Sequence, residues 1–243
     1  MKHLIIGILL FLSNASFGQH LIPLNQYGEE ITDTIKFHPE KYRKHFFEDN
    51  EKSIDHYFNH DLKITAMVIN LKDPEKGNYL TIRTEYDSLG QKSKTVHTDR
   101  INKVNEIHYY ENNEIVRKYF IKGTIITGQK LEGDAITELN RILEECSFED
   151  SKQAMKHVQD NLRYPANARY HREMGTVKAA LHISKEGKLS KIVIANPEEV
   201  SVNLQNEVIR IWSKYKGKFY PAYDLEGNPI ESYFIVPTRF KLS

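Results

Sequence analysis

The chain has 243 residues, and 34 Lys and Arg stand against 33 Asp and Glu, for a net charge of +1. That balance excludes a strongly basic nucleic-acid or membrane-surface protein, and 40% apolar residues exclude wholesale disorder. A single cysteine, Cys146, excludes an intramolecular disulfide framework and any cysteine-rich zinc site.

Met1-Lys2-His3 is a short positive start, Leu4 to Leu12 (LIIGILLFL) is an apolar run, and Ser13 to Gly18 is small and mostly polar. This layout predicts a secretory signal peptide over residues 1–18, cut between Gly18 and Gln19. As a helix the run reaches about 14 Å, against a hydrocarbon core of about 30 Å. No cysteine follows it, so a lipoprotein is not expected. The expectation is an exported, periplasmic chain.

Residues 19–65 form a mixed segment. Its stretch from Pro39 to Asp61, crowded with charges, His and aromatics, predicts short helices and loops. Residues 66–133 are a β-rich region. Ile64–Asn70, Tyr79–Tyr86, Glu106–Tyr110 and Ile115–Ile121 are rich in β-branched and aromatic residues, with turn chemistry between them. Tyr86 to Gln91 and Tyr110 to Ile115 read as two copies of one hairpin turn, which resembles degenerate MORN-like hairpin repeats; an ordinary antiparallel meander fits the same residues. Residues 134–147 predict a linking helix: Ile136, Leu139, Ile142, Leu143 and Cys146 lie at helical spacing, with Asp134 as N-cap. On that stripe Cys146 is a buried small apolar side chain rather than a reactive thiol.

Residues 148–243 predict a compact unit in the order helix, strand, strand, helix, strand. Ser151–Arg163 is amphipathic and stops before Pro165. Val177, Ala179, Leu181 and Ile183 alternate along a strand, Gly187 marks a turn, and Leu189–Ala195 returns. Leu204, Val208, Ile211, Trp212 and Tyr215 mark a second helix. Tyr233 to Leu242 is a long last strand. The whole is of the α+β class.

This unit resembles the C-terminal domain of the TonB family. Tyr164-Pro165, Ala168, Gly175-Thr176-Val177 and Gly187 stand in family order. Leu204, Glu207, Arg210, Phe219-Tyr220-Pro221-Ala222, Gly227 to Ile230, Val236-Pro237, Phe240 and Leu242 continue it. Pro165, Ala168, Gly175, Val177, Gly187, Phe219, Pro221, Gly227 and Pro237 read as structural positions. The resemblance implies a non-enzymatic domain that binds an extended peptide of an outer-membrane receptor or other envelope protein beside its last strand, by β-augmentation. The residues it implicates are Tyr233, Ile235, Thr238, Arg239, Phe240, Lys241 and Leu242, with Arg163 and Tyr164 alongside. Pro237 suits an edge strand, since it offers no ladder donor. Arg239 and Lys241 either meet acidic groups of a partner or act as charges that deter aggregation.

The departures matter as well. The Pro-rich spacer of energy-transducing members is missing, Asn161-Leu162-Arg163 replaces their Gln-Pro run, and Phe219 replaces the usual Trp. Two other readings follow from the resemblance: a membrane-anchored energy transducer, if Leu4–Leu12 is retained, and a homodimer or larger oligomer through last-strand pairing.

Enzyme chemistry is not signalled. Gly123 to Lys130 has the outer spacing of a phosphate loop without its Gly-Lys-Ser/Thr end. His56 and His60, four apart beside Asp55 and Asp61, read as a solvated face rather than a metal site, and His171 and His182 stand alone. No cofactor, metal, nucleic acid or small-molecule substrate is expected.

Overall fold

The computed structural model of the protein describes residues 21–73, 75, 77–133 and 135–242. The predicted signal peptide with its Gly18–Gln19 cut, and the predicted cap Asp134, lie outside them.

Ten strands follow in chain order: β1 (Ile22–Leu24), β2 (Lys41–Glu48), β3 (Lys52–Asn59), β4 (Ile64–Asp73) and β5 (Gly77–Tyr86), then β6 (Lys92–Asp99), β7 (Val104–Glu111), β8 (Glu114–Lys122), β9 (Ile125–Glu132) and β10 (Ala135–Leu139). Each pairs antiparallel with the next, so the sheet is one meander in sequence order. The four predicted β segments fall on β4, β5, β7 and β8.

Two expectations fail here. Pro39–Asp61 holds β2 and β3 rather than short helices. Charged and aromatic side chains lie on both faces of these strands, so no apolar alternation announces them. Cross-strand partners hold them instead, as where His45 Nδ1 lies 2.9 Å from Asp55 Oδ1. The linking helix over 134–147 is also absent. Ala135–Leu139 is β10, and turns and bends follow to Cys146. The five residues of the apparent stripe serve different places: Leu139 and Ile142 pack on the Tyr109–Tyr119 cluster of the sheet, and Cys146 joins the C-terminal core.

The two supposed copies of one turn differ. The β5–β6 loop is closed by Asp87, whose Oδ1 accepts from the Leu89 and Gln91 amides, with Gly90 at φ +77°. The β7–β8 turn is the pair Asn112-Asn113 at φ +50° and +67°, the two-residue geometry that matches strand twist.

The remaining elements are β11 (Ser147–Phe148), α1 (Ser151–Asn161), α2 (Ala166–Tyr170), β12 (Gly175–Ile183), β13 (Leu189–Ile194), α3 (Val202–Ser213), β14 (Phe219–Tyr220), β15 (Ala222–Tyr223), β16 (Pro229–Ile230) and β17 (Ser232–Phe240). The predicted order holds, with α2 and the short strands β11, β14, β15 and β16 added; α1 ends at Asn161 rather than Arg163, and Tyr215 lies past the end of α3. Asp150 caps α1 by accepting from the Lys152 and Gln153 amides. β12 lies at the centre of a three-stranded sheet, with β13 on one side and β17 on the other.

Val177, Ala179, Leu181 and Ile183 on one face of β12, and Leu204, Val208 and Trp212 on α3, are buried in one core. Phe148 stacks on Trp212 with ring centroids 5.4 Å apart and meets Phe234 edge-on at 4.9 Å. Each fully buried Val, Leu or Ile among them contributes about 1.5–3 kcal/mol by leaving water. Gly187 makes the β12–β13 turn at φ +71°, where a Cβ would lie 2.5 Å from the Phe219 carbonyl oxygen.

Val68, Arg83, Val96, Ile107, Tyr119, Gly128 and Leu139 stand side by side in successive strands, and Val96, Ile107, Tyr119 and Leu139 of this row share a cluster with Leu225 of the C-terminal unit. Gly128 lies under the Tyr119 ring, and a Cβ there would come within 2.4 Å of it. Arg117, 2% exposed, pairs with Glu144 and donates to the carbonyls of Leu225 and Asp224. Tyr119 donates to the other Glu144 oxygen at 2.9 Å. A buried cation with this many acceptors ties the sheet to the loop after β15.

Candidate functional site

β17 is bonded on one side only. Its register sets Lys178 opposite Pro237. The Lys178 carbonyl accepts from the Ala195 amide at 2.7 Å, and its own amide donates to Asn196 Oδ1 at 2.8 Å. Both backbone groups of Lys178 therefore point away from β17, and the ring nitrogen and carbonyl of Pro237 point away from β12. By strand alternation Tyr233, Ile235 and Arg239 turn their N–H and C=O outward as well, while Phe234, Val236, Thr238 and Phe240 bond to β12. Among the described residues no other strand pairs with this outer edge.

The residues singled out from sequence divide into distinct groups. Tyr233 and Arg239 have exposed side chains and Ile235 is half-buried. Thr238 and Phe240 are buried and face the core, so their side chains cannot meet a partner. Phe240 packs edge-on against Tyr164 at 5.6 Å. Lys241 and Leu242 lie past the strand, which ends at Phe240 rather than at 242. Tyr164 is a plug: it donates its hydroxyl to the Glu173 carbonyl, and the Arg169 guanidinium sits 5.8 Å from its ring centre. Arg163 has an exposed side chain, while its amide donates to Glu207 Oε1 at 2.7 Å.

Glu207 and Arg210 lock α3 to the end of α1. Arg210 grips both Glu207 oxygens at 2.7 Å and donates to the Asn161 carbonyl at 2.7 Å. Burial pushes the Glu207 carboxyl up, but Arg210 and the Arg163 amide outweigh it and hold the group below the usual carboxylate range.

Among the residues read as structural, Ala168 and Val177 are fully buried, Phe219 nearly so, and Pro165 stands at the N-cap of α2. Gly175 approaches Val200, Pro221 packs near Gly187, and Gly227 holds φ +92° with open space around it.

Sequence reasoning missed the segment that follows β1. Asn25 Oδ1 accepts from the Tyr27 and Glu29 amides, forming a tight turn with Gly28 at φ +83°. That turn reaches the face of the three-stranded sheet away from the helices. The Tyr27 hydroxyl lies 2.8 Å from His182 Nε2, and the Tyr27 ring meets Tyr233 edge-on at 5.0 Å. Burial lowers the His182 pKa, with the Lys191 charge acting in the same direction, and burial raises that of Tyr233. The local signal of this turn is Asn25, whose side chain caps it, with Gly28 to supply the left-handed backbone.

Elsewhere the chemistry is sparse. His56 sits on β3 against Phe46, not on a helix with His60. Among the described residues no group of three or more His, Cys, Asp and Glu is placed to hold a metal. Burial raises the Cys146 pKa, as for a packed thiol. No described helix is long and apolar enough to cross a membrane.

Residues 160–242 match the family model of the Gram-negative bacterial TonB protein C-terminal. Residues 160–242 are thus a TonB-type domain, and that match supports a TonB-related role in envelope transport. The MORN-like reading of the upstream strands is not borne out. Neither the curated proteins nor the solved structures yield a match to the chain.

Proposed function

We propose that this protein is a non-enzymatic periplasmic binder, which captures an extended segment of an outer-membrane partner by adding it as a fourth strand beside β17. The observation that carries the reading is the unpaired outer edge of β17, with Pro237 turned outward in the middle of it. Outward backbone groups of Tyr233, Ile235 and Arg239 supply the ladder, and the exposed side chains of Arg239 and Lys241 favour acidic groups on the incoming strand. Arg163 and Leu242 flank the same end. The unit is delivered by export, with the leader removed between Gly18 and Gln19, and the family match within 148–243 supports treating that stretch as the binding domain.

The test is a photo-crosslinking amino acid placed at Ile235 or Arg239 in cells, with the exposed Met155 of α1 as control. The expected product joins positions 235 and 239, but not 155, to an extended segment of an outer-membrane protein. Crosslinks to a second copy of the chain would replace this reading with self-pairing. An intact mass starting at Gln19 in the soluble envelope fraction is the companion expectation; a full-length chain in the inner membrane would favour an anchored energy transducer.

A further inference from the structure

Residues 24–33 leave the edge of the ten-stranded sheet and cross the outer face of the three-stranded one. Leu24 and Ile31 are buried within this segment, and so is Ala180, whose side chain alternates to that outer face. Four polar attachments hold it. Asn25 Nδ2 donates to the Ala195 carbonyl at 2.6 Å. Lys178 Nζ meets Glu29 at 2.6 Å. The Glu198 carboxylate accepts from the Thr32 amide, the Thr32 hydroxyl and the Asp33 amide at 2.9–3.0 Å. The fourth is Tyr27, bonded to His182 and packed on Tyr233, whose hydroxyl in turn donates to the Gln26 carbonyl at 3.4 Å. The same carbonyl accepts from Lys41 Nζ at 3.0 Å, which brings β2 to the spot.

β17 needs such support. It is bonded to the protein along one side only, and Phe234 and Val236 at its first half are only partly buried. An edge strand that frays there must be ordered again before another strand can pair with it, and that ordering weakens binding. A rigid edge removes this cost in advance. On the core face Phe234 packs against Phe148 and Phe219, and on the outer face the segment around Tyr27 covers Tyr233, which also packs on His182.

We infer that residues 24–33 are a strap that pre-organises the β17 edge for its partner, with Tyr27 as the positioning residue. This rests on the reading of β17 as the partner site. It makes the ten-stranded sheet and the TonB-type domain one binding device, because the strap is the direct continuation of β1.

The experiment uses the full chain, with Tyr27→Ala and Tyr27→Phe, and reads amide hydrogen exchange along β17 together with crosslinking yield from Ile235. Tyr27→Ala is expected to speed exchange of the Phe234 and Val236 amides at least tenfold, while Thr238 and Phe240 change little. Tyr27→Phe keeps the ring and restores most of that protection. Crosslinking from Ile235 falls in step with the lost protection. Unchanged exchange in Tyr27→Ala overturns the strap whatever the partner does. Faster exchange with undiminished crosslinking overturns the positioning role and leaves a structural brace. Should Tyr27→Ala not fold, Glu29→Gln loosens the strap at Lys178 and is judged by the same two readouts. A wild-type chain that captures no partner at 235 or 239 removes the reading of β17, while the exchange data still decide whether the strap orders that edge.

Discussion

Pro237 stands opposite Lys178 in the β12–β17 ladder, and both backbone groups of Lys178 are bonded in the other direction, to Ala195 and Asn196. A proline is harmless to the sheet in that position, because the N–H it lacks would have pointed into solvent. The same alternation sorts every residue of β17 into one that holds the fold and one that faces outward.

That sorting predicts opposite results for neighbouring prolines. Arg239→Pro removes an outward donor and is expected to cost under ~1 kcal/mol of stability while weakening partner capture. Thr238→Pro removes a donor to β12 and is expected to cost about 3 kcal/mol or more. Thermal melts and crosslinking on the two variants separate the effects; equal destabilisation by both would mean that the strand's outward face is misassigned.

The two turn glycines of the C-terminal unit are not equivalent. Gly187→Ala combines left-handed backbone with a Cβ 2.5 Å from the Phe219 oxygen, and backbone must shift to admit it. Gly227→Ala meets only the backbone penalty, since nothing lies within 4 Å. Denaturant unfolding is expected to show losses of about 3 kcal/mol for the first and about 1 kcal/mol for the second.

Glu207 is held below its usual range, so the folded state favours its charged form. Its contribution to stability is complete above the unfolded carboxylate value of about 4.3 and is lost as the pH falls through the lower folded value. Glu207→Gln should therefore be less stable than wild type at pH 7, and the gap should narrow below about pH 4. A gap that stays constant into acid would rule out the Arg210 pair as its source.

Arg117 is the buried tie between the two parts of the molecule. Arg117→Met leaves the Glu144 carboxylate without its cation, with only the Tyr119 hydroxyl as donor among the described residues, and strips the carbonyls of Asp224 and Leu225 of the guanidinium, at an expected cost of about 3–5 kcal/mol. Adding Glu144→Leu removes the stranded charge and should recover part of that loss. Chemical denaturation of the single and double variants measures the recovery.

Cys146 is 4% exposed, and burial disfavours its thiolate. A thiol reagent at neutral pH should therefore label the native chain only as fast as the C-terminal core opens. Labelling that is fast in buffer and independent of denaturant would contradict the packed state of this residue.

Much of the C-terminal unit was legible from residues alone. The alternation of Val177 to Ile183 and the stripe from Leu204 to Trp212 carry their own periods and the structure keeps both, while the helix before Pro165 ends at Asn161, two residues short of the predicted Arg163. β2 and β3 were not legible, because a strand with charged and aromatic groups on both faces has no period of two to detect. Ile136 to Cys146 misled in the opposite way: helical spacing arose by coincidence among Ile136, which is exposed, Leu139 and Ile142, which pack on the sheet, and Cys146, which joins the other core. Thr238 and Phe240 look like partner contacts in sequence because a strand's edge and its inner face carry the same pattern.

The sequence by itself determined the α+β class, the order of the last five main elements and the absence of any recognisable catalytic motif, since these depend on local periodicity, turn chemistry and composition. Only the tertiary structure decided which edge of the C-terminal sheet stays open and what supports it. Pairing partners and the contact of Tyr27 with His182, 155 residues away, follow from how distant segments meet, and no local pattern encodes that meeting.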